Sequence, residues 1–361
     1  MTQRTLFGGG DRETEALLGR FNPARLVLAR EARGLRKNEL AERVELTPSA
    51  VSQIEMGKIR PSAETLLRLA LALRVRPAFF AAETAAAITA EQCHFRRLRS
   101  ATQGEQRRVR AAGALILEVV GHLERLVEIP AETITPLSAQ VDDAEGVEPL
   151  AERVRDAWGL GRGPVSDVVA LLERHGVLPV EVEGHSERLD AFSTWAGSRP
   201  LVFLSTGKES ASRRRFDAAH ELGHLLMHVD VSPGDPALER QADAFASAFL
   251  LPRATFGAEC PPRLSWPHLQ ELKRRWKVSL AAMVRRAYDL GIYSEATYRR
   301  AYMQLNQRGW RENEPAEPRM ERPRLLREVI ALLEEAGHPR ESVAATVHLH
   351  VPDFERLLRL T

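Results

Sequence analysis

The residues best placed to do chemistry are His220, Glu221 and His224, in the pentapeptide His-Glu-Leu-Gly-His. Phe216, Ala219, Leu222, Leu225 and Leu226 give the surrounding segment helical periodicity, so both histidines point one way, one turn apart. At that spacing two imidazole nitrogens can share one Zn²⁺. Glu221, offset by one residue, reaches the water that such an ion activates and suits a general base. A third ligand is required, and Glu239 follows in ERQADAFASAFLLP with Asp243 four positions later on the same helical face. Glu239 would complete a His₂Glu set with a fourth position open. Asp243 could accept the outer N–H of a ligand histidine and fix its tautomer. The pentapeptide alone turns up by chance in roughly one chain in fifty of this histidine content; the Glu-x-x-x-Asp segment makes coincidence a poor explanation. N and O ligands accept several divalent ions, so Mn²⁺ stands beside Zn²⁺ as a candidate.

Other reactive side chains carry less. His228 lies one turn beyond His224 and reads as a helix-end histidine facing the C-terminal dipole. His185 sits in a polar loop and reads as exposed and idle. Arg213, Arg214, Arg215 and several tyrosines are all open as oxyanion stabilisers, and sequence selects none. Cys93 and Cys260 are far apart with no second cysteine near either, which excludes a disulfide framework and a Cys-based zinc knuckle.

Positioning the metal motif requires an α+β domain. A helical pattern at 165–175, short β-rich runs at 177–182, 191–195 and 201–204, and a helix at 216–228 supply it. The 201–204 run, just before the motif helix, could be an edge strand pairing an extended substrate, or plain sheet core. The expected organisation is a flexible tail over 1–20, an all-helical domain over 21–80, and a helical connector and linker over 81–150. The metal domain follows over 151–260, then a helical extension over 261–310, a charged Pro-bearing linker over 311–324 and a small helical region over 325–361. No internal repeat of fixed period is legible. The C-terminal region reads as a second helix-turn-helix-like unit, a dimerisation cap or a lid.

Within 21–80, residues 37–44 and 48–56 form two helices joined at Glu45-Leu46, with Thr47 as N-cap and Pro48 at the first helical position. Val51 and Ile54 face inward. Ser49, Ala50, Ser52 and Gln53 are left outward near the start of the second helix, where a recognition helix meets base edges. Gln53 can read adenine bidentately, while Lys37, Lys58 and Arg60 suit phosphates. The plain alternative is a helical bundle with solvated charges.

Composition agrees with a local nucleic-acid surface. The 361 residues carry a net charge of only +2, from 51 basic and 49 acidic residues, which gives no bulk pull toward DNA. Residues 21–80 hold 11 Lys/Arg against 6 Asp/Glu, and 11 − 6 = +5. No apolar run approaches the roughly 18 to 20 residues of a membrane span, and the start of the sequence has no apolar core. A cytoplasmic protein is the expectation.

Two resemblances sharpen these readings. Residues 33–73 resemble the phage-repressor (Cro/C1, Xre-type) helix-turn-helix family through Leu40-Ala41, Ser52, Ile54-Glu55, Gly57, Pro61-Ser62, Thr65-Leu66 and Leu69-Ala70. The family usually has Gln where Lys37 stands and a turn Gly where Glu45 stands, so Glu45 must adopt a strained turn at about 1 kcal/mol. Residues 150–255 resemble the ImmA/IrrE metallopeptidase family through RRRFDAAHELGHLLMH and ERQADAFASAFLLP. The segments ELKRRWKVSLAAMVRRAYDLG and RGWRENEP resemble the helical tail of Xre-type fusions to that domain. The likeness implies a zincin-like fold of gluzincin type, with His220, His224 and Glu239 as ligands and Glu221 as catalytic base.

Three functions follow as expectations. The first is a dimeric operator-binding regulator whose peptidase domain cleaves a repressor-type protein, or the chain itself, in a stress or mobile-element response. The second is a transcription factor whose metallopeptidase-like domain senses metal or ligand without cutting. The third is a general peptidase with a vestigial DNA domain, against which Lys37, Gln53, Lys58 and Arg60 speak.

Overall fold

The computed structural model describes residues 15–83, 102–136, 144–182, 191–207, 209–229 and 235–360; Cys93 and His185 fall outside them. In chain order the elements are helices α1 (Pro23–Ala32), α2 (Lys37–Arg43), α3 (Pro48–Glu55), α4 (Ala63–Leu73), α5 (Gln103–Leu123), α6 (Ala144–Ala157) and α7 (Val168–Arg174). Strands β1 (Leu178–Val182), β2 (Ala191–Ala196) and β3 (Arg199–Ser205) come next. Helices α8 (Ala211–Met227), α9 (Pro236–Leu250), α10 (Arg253–Glu259), α11 (Trp266–Trp276), α12 (Leu280–Asp289), α13 (Glu295–Gln307), α14 (Leu325–Glu335), α15 (Arg340–Thr346) and α16 (Val351–Leu358) complete the chain. They form two compact units, one gathering the described residues of 15–83, 102–129 and 324–360, the other those of 130–323. The architecture is multidomain, an all-α unit and an α+β unit, as the sequence pattern predicts.

In the first unit local signals start each helix. Asn22, Thr47 and Ser62 cap α1, α3 and α4 by accepting from Ala24, Ala50 and Thr65 N–H groups, and Pro23 and Pro48 occupy first-turn positions. Leu26, Leu40, Ala41, Val51, Ile54, Leu66, Leu69 and Leu73 are buried between these helices. Fully buried Arg25 stacks its guanidinium 3.8 Å from the Phe79 ring centroid, donates to the Phe79 carbonyl at 3.0 Å, and pairs with Glu118. Glu118 stands on α5, so the 103–123 segment belongs to this helical unit.

The C-terminal helices repeat the backbone of α1 to α3 at a constant offset of 303 positions (337 − 34 = 348 − 45 = 303). Gly34 and Gly337 have φ of 67° and 85°; Glu45 and His348, at the two turns, have φ of 55° and 57°. α2 and α15 have seven residues each, α3 and α16 eight each. The bond from Leu46 N–H to the Ala41 carbonyl recurs from Leu349 to Ala344. Only Glu31/Glu334, Gly34/Gly337, Ala41/Ala344, Val44/Val347 and Leu46/Leu349 are identical, which is why no repeat is legible in the sequence. Asp353, matching Ala50, is buried and accepts from Arg33 at 2.7 Å and Arg356 at 3.0 Å, with Arg74 at 3.4 Å. Asp353 is thus tied within the unit, while Pro352 and Arg356, matching Ser49 and Gln53, stay exposed.

In the second unit a three-stranded sheet has the order β1-β3-β2, with β1 parallel and β2 antiparallel to β3. Val202 pairs with Pro179 on one side and Ser193 on the other. The 201–204 run is therefore the middle of the sheet and not an edge for substrate, because β1 and β2 satisfy both rims of its backbone. Helix α8 packs on β2 and β3, and α9 packs on α8 and α6. Gly223 permits the α8/α9 approach, since a Cβ there would lie 3.1 to 3.3 Å from atoms of Phe245.

The charged segment 311–323 has no regular secondary structure, yet three glutamates bind it to helix starts. Glu314 accepts from Leu280 N–H at 2.7 Å, Glu317 from Ser212 N–H at 3.0 Å, and Glu321 from Val168 N–H at 2.8 Å, at the first turns of α12, α8 and α7. Carboxylates are favoured there by the unpaired N–H groups and the positive end of the helix dipole. Lys273, fully buried, donates to Glu314 at 2.6 Å and Glu317 at 2.5 Å, and Arg215 pairs with Glu321. A segment whose composition reads as linker is a strap.

Candidate metal centre and nucleic-acid interface

On the reader, Ser49 and Gln53 are exposed on α3 and Ala50 is half-buried; Lys58 and Arg60 are exposed beyond its end. Val51 and Ile54 are buried, so the outward set is the one helical spacing predicts. Lys37 is exposed but engaged, 3.2 Å from both the Glu55 carboxylate and the Ser52 hydroxyl. Glu55 also accepts from Arg30 at 2.5 Å. Glu45 holds the left-handed turn at φ 55°, its carboxylate 2.7 Å from Arg68.

The second constellation is built where α8 meets the first turn of α9. Ser210 caps α8 and Asp235 caps α9, the latter accepting from Ala237 N–H at 2.8 Å. Candidate ligand atoms of His220, His224 and Glu239 all lie within 4.8 Å of one another. The two Nε2 atoms are 3.1 Å apart; Glu239 Oε2 is 3.4 Å from His220 Nε2, and Oε1 is 3.7 Å from His224 Nε2. Bonds of about 2.05 Å to a tetrahedral ion imply ligand-ligand edges of about 3.3 Å. The His–His and shortest His–Glu separations bracket that value, and one atom from each residue lies within 4.8 Å of the others, so the donor set suits such an ion.

Each ring is held from behind. His220 Nδ1 is 2.8 Å from Asp243 Oδ1. His224 Nδ1 is 2.8 Å from His228 Nδ1, and His228 Nε2 is 2.9 Å from Gln241 Oε1. His228 does cap the end of α8, but its ring is buried in this chain of bonds, which is not the dipole-facing role expected of it. Glu221 is buried on the same helix and accepts from the Ser193 hydroxyl at 2.7 Å. Burial pushes its carboxyl up to about 7, against the lowering effects of His220 and Ser193.

Comparison with known families finds a likeness for each region. Residues 26–80 match a helix-turn-helix family model, and residues 172–288 match the IrrE N-terminal-like domain, a peptidase family. The chain joins an Xre/Cro-like helix-turn-helix to an IrrE/ImmA-like domain. No curated protein sequence matches it. It is thus a DNA-binding type of regulator carrying a peptidase-like domain, and among the described residues no helix is long and apolar enough to cross a membrane.

The structure of this fusion also brings in residues that sequence reasoning missed. Ser193 sits on β2, where AFSTWA gives one signal, a polar residue at a buried strand position. Gln241 gives none, because its partner is reached only when α9 lies against α8. The three arginines ahead of the motif are committed elsewhere: Arg213 to the Arg311 carbonyl, Arg214 to Glu181, Arg215 to Glu321 and Val165.

Proposed function

We propose that this protein binds operator DNA through α3 and uses a zinc-dependent endopeptidase centre to cleave a repressor-type regulatory protein or its own chain. The observation that carries the reading is the His220, His224 and Glu239 triangle, with ligand separations of 3.1 to 3.7 Å, beside a buried carboxylate. His220 and His224 would present Nε2 to the ion and Glu239 a carboxylate oxygen, with Zn²⁺ the first candidate and Mn²⁺ the second. A divalent ion bound there supplies Lewis-acid polarisation of a water and of a scissile carbonyl. Glu221 then serves as general base. Ser193 donates to its Oε2, which orients the carboxylate and leaves Oε1 to take the proton. A general base that has taken a proton can return it to the leaving amine, and burial raises the proton affinity of Glu221 in the metal-free site. Asp243 accepts the Nδ1 proton of His220, which keeps the Nε2 lone pair facing the ion.

On the DNA side, Gln53 reads a base edge with Ser49 and Ala50 beside it, and Lys58, Arg60 and Lys37 hold phosphates, in a dimer that matches a two-fold operator. The test measures zinc per chain for wild type, His224→Ala and Glu239→Ala, with fragment patterns from cells carrying Glu221→Gln. About one zinc in wild type, little in the first two variants, and loss of a fragment in the third is the expected result. A wild type that takes up no supplied zinc refutes the peptidase reading. Regulation and fragments unchanged in Glu221→Gln favour a sensor that cuts nothing. For the reader, Gln53→Ala should weaken operator binding by about 1 to 3 kcal/mol, and unchanged binding refutes its role.

A further inference from the structure

We propose that His228 and Gln241 are positioning residues that fix the tautomer of His224, and so act as the second outer support of the metal site. The inference rests on the ligand reading given above.

The two histidines of the motif are supported by different chemistry. His220 meets a carboxylate, Asp243, which can only accept. His224 meets another imidazole, nitrogen to nitrogen at 2.8 Å. A bond between two Nδ1 atoms needs one proton, and either ring could carry it. The direction is decided one residue further on. Gln241 Oε1 lies 2.9 Å from His228 Nε2, and an amide oxygen accepts only, so His228 carries its proton on Nε2. Neutral His228 then has a lone pair at Nδ1, where it accepts from His224 Nδ1–H. His224 is left with its lone pair on Nε2, the nitrogen 3.1 Å from His220 Nε2. The reverse order would place a proton on His224 Nε2, in the position a metal must take.

The chain is buried where it matters. His224 and His228 are 3% and 2% exposed, so water cannot replace the lost acceptor without a cavity to enter. The spacing is local as well: His224 and His228 are one turn apart on α8, and Gln241 lies between Glu239 and Asp243 on α9. The first turns of α9 thus carry a ligand, the partner of one ligand and the partner of the other ligand's partner.

The test is the zinc affinity of the full chain, by competition with a chromophoric chelator, beside thermal unfolding of the metal-free proteins. His228→Leu removes the acceptor and keeps bulk; zinc affinity should fall 10- to 100-fold. His228→Asn places an amide oxygen close to where Nδ1 stood, and affinity should stay within about threefold of wild type. Gln241→Leu, at a half-buried site, covers the case in which His228→Leu fails to fold: it should weaken zinc binding several-fold, with Gln241→Glu restoring it. Equal affinity in wild type, His228→Leu and Gln241→Leu overturns the proposal, as does an equal loss in His228→Asn and His228→Leu at matched metal-free stability. Failure of the underlying reading looks different: wild type itself binds no zinc, or His224→Ala binds as tightly as wild type, and both conclusions then fall together.

Discussion

Replacing Lys273 by Met should loosen the strap from the helices it binds. The ammonium is 0% exposed and lies 2.6 Å from Glu314 and 2.5 Å from Glu317, whose side chains are 1% and 28% exposed. Removing it leaves two carboxylates at the starts of α12 and α8, each keeping one helix N–H but losing its counter-charge. Breaking a buried pair in this way costs about 3 to 5 kcal/mol. With a urea m-value of about 2 kcal/mol/M, the midpoint should fall by about 1.5 to 2.5 M. All five tryptophans lie between 158 and 310, within the second unit, so their fluorescence reports on that unit alone. The pH dependence has a definite sign. Burial works to raise the Glu317 carboxyl, but bonds from Lys273 and Ser212 outweigh it and hold the group below the ordinary range. A depressed folded pKa gives stability present above the unfolded pKa and lost as pH falls through the folded value. Without Lys273 that gain vanishes, so the deficit should be the same at pH 8 and pH 5 and shrink only as pH falls below the ordinary value of 4.5. A midpoint drop under about 0.5 M at pH 8, or a deficit that does not shrink well below pH 4.5, refutes the reasoning.

Gly223→Ala gains about 0.8 to 1 kcal/mol of helix propensity, but its Cβ meets Phe245 at 3.1 to 3.3 Å. Overpacking of about 1 to 3 kcal/mol should leave it less stable, and the displaced α9 should weaken zinc binding through Glu239; a raised Tm with unchanged zinc affinity contradicts this. Asp353→Ala removes the carboxylate shared by Arg33, Arg74 and Arg356 and should cost about 1.5 to 3 kcal/mol. The loss should appear as faster proteolysis within 324–361 with tryptophan fluorescence unchanged, and resistance equal to wild type refutes it. Burial disfavours the charge on His220, but bonds to Asp243 and Glu239 and the charge of Glu221 prevail and carry it up to about 10 in the metal-free protein. That gain in stability is complete below the unfolded pKa of about 6.5 and lost as pH rises through about 10. Zinc uptake at pH 8 should therefore release about one proton per ion, seen by calorimetry in buffers of different ionisation enthalpy; no buffer dependence counts against it.

What the sequence by itself determined is what helix geometry fixes at short range. A spacing of four residues puts His220 over His224 and Glu239 over Asp243, whatever the rest of the chain does. Thr47, Pro48 and the inward Val51 and Ile54 likewise define the reader and its outward face. The left-handed turn at Glu45 was legible through the family resemblance, which places a turn glycine at that position. Contacts between elements remote in sequence were decided only by tertiary packing. Ser193 reaches Glu221 because β2 lies against α8, and Gln241 reaches His228 because Gly223 lets α9 come close. The sheet order made β3 central, which alternation of apolar residues cannot distinguish from an edge. The segment 311–323 reads as linker from its charge and prolines, and became a strap only where three helix starts and a buried lysine offered its glutamates partners. The C-terminal copy of the reader stayed hidden for a similar reason. Backbone turns tolerate many side chains, so a repeated path survives where five identities remain, and only the packing shows that Asp353, standing where the reader has Ala50, is buried against arginines.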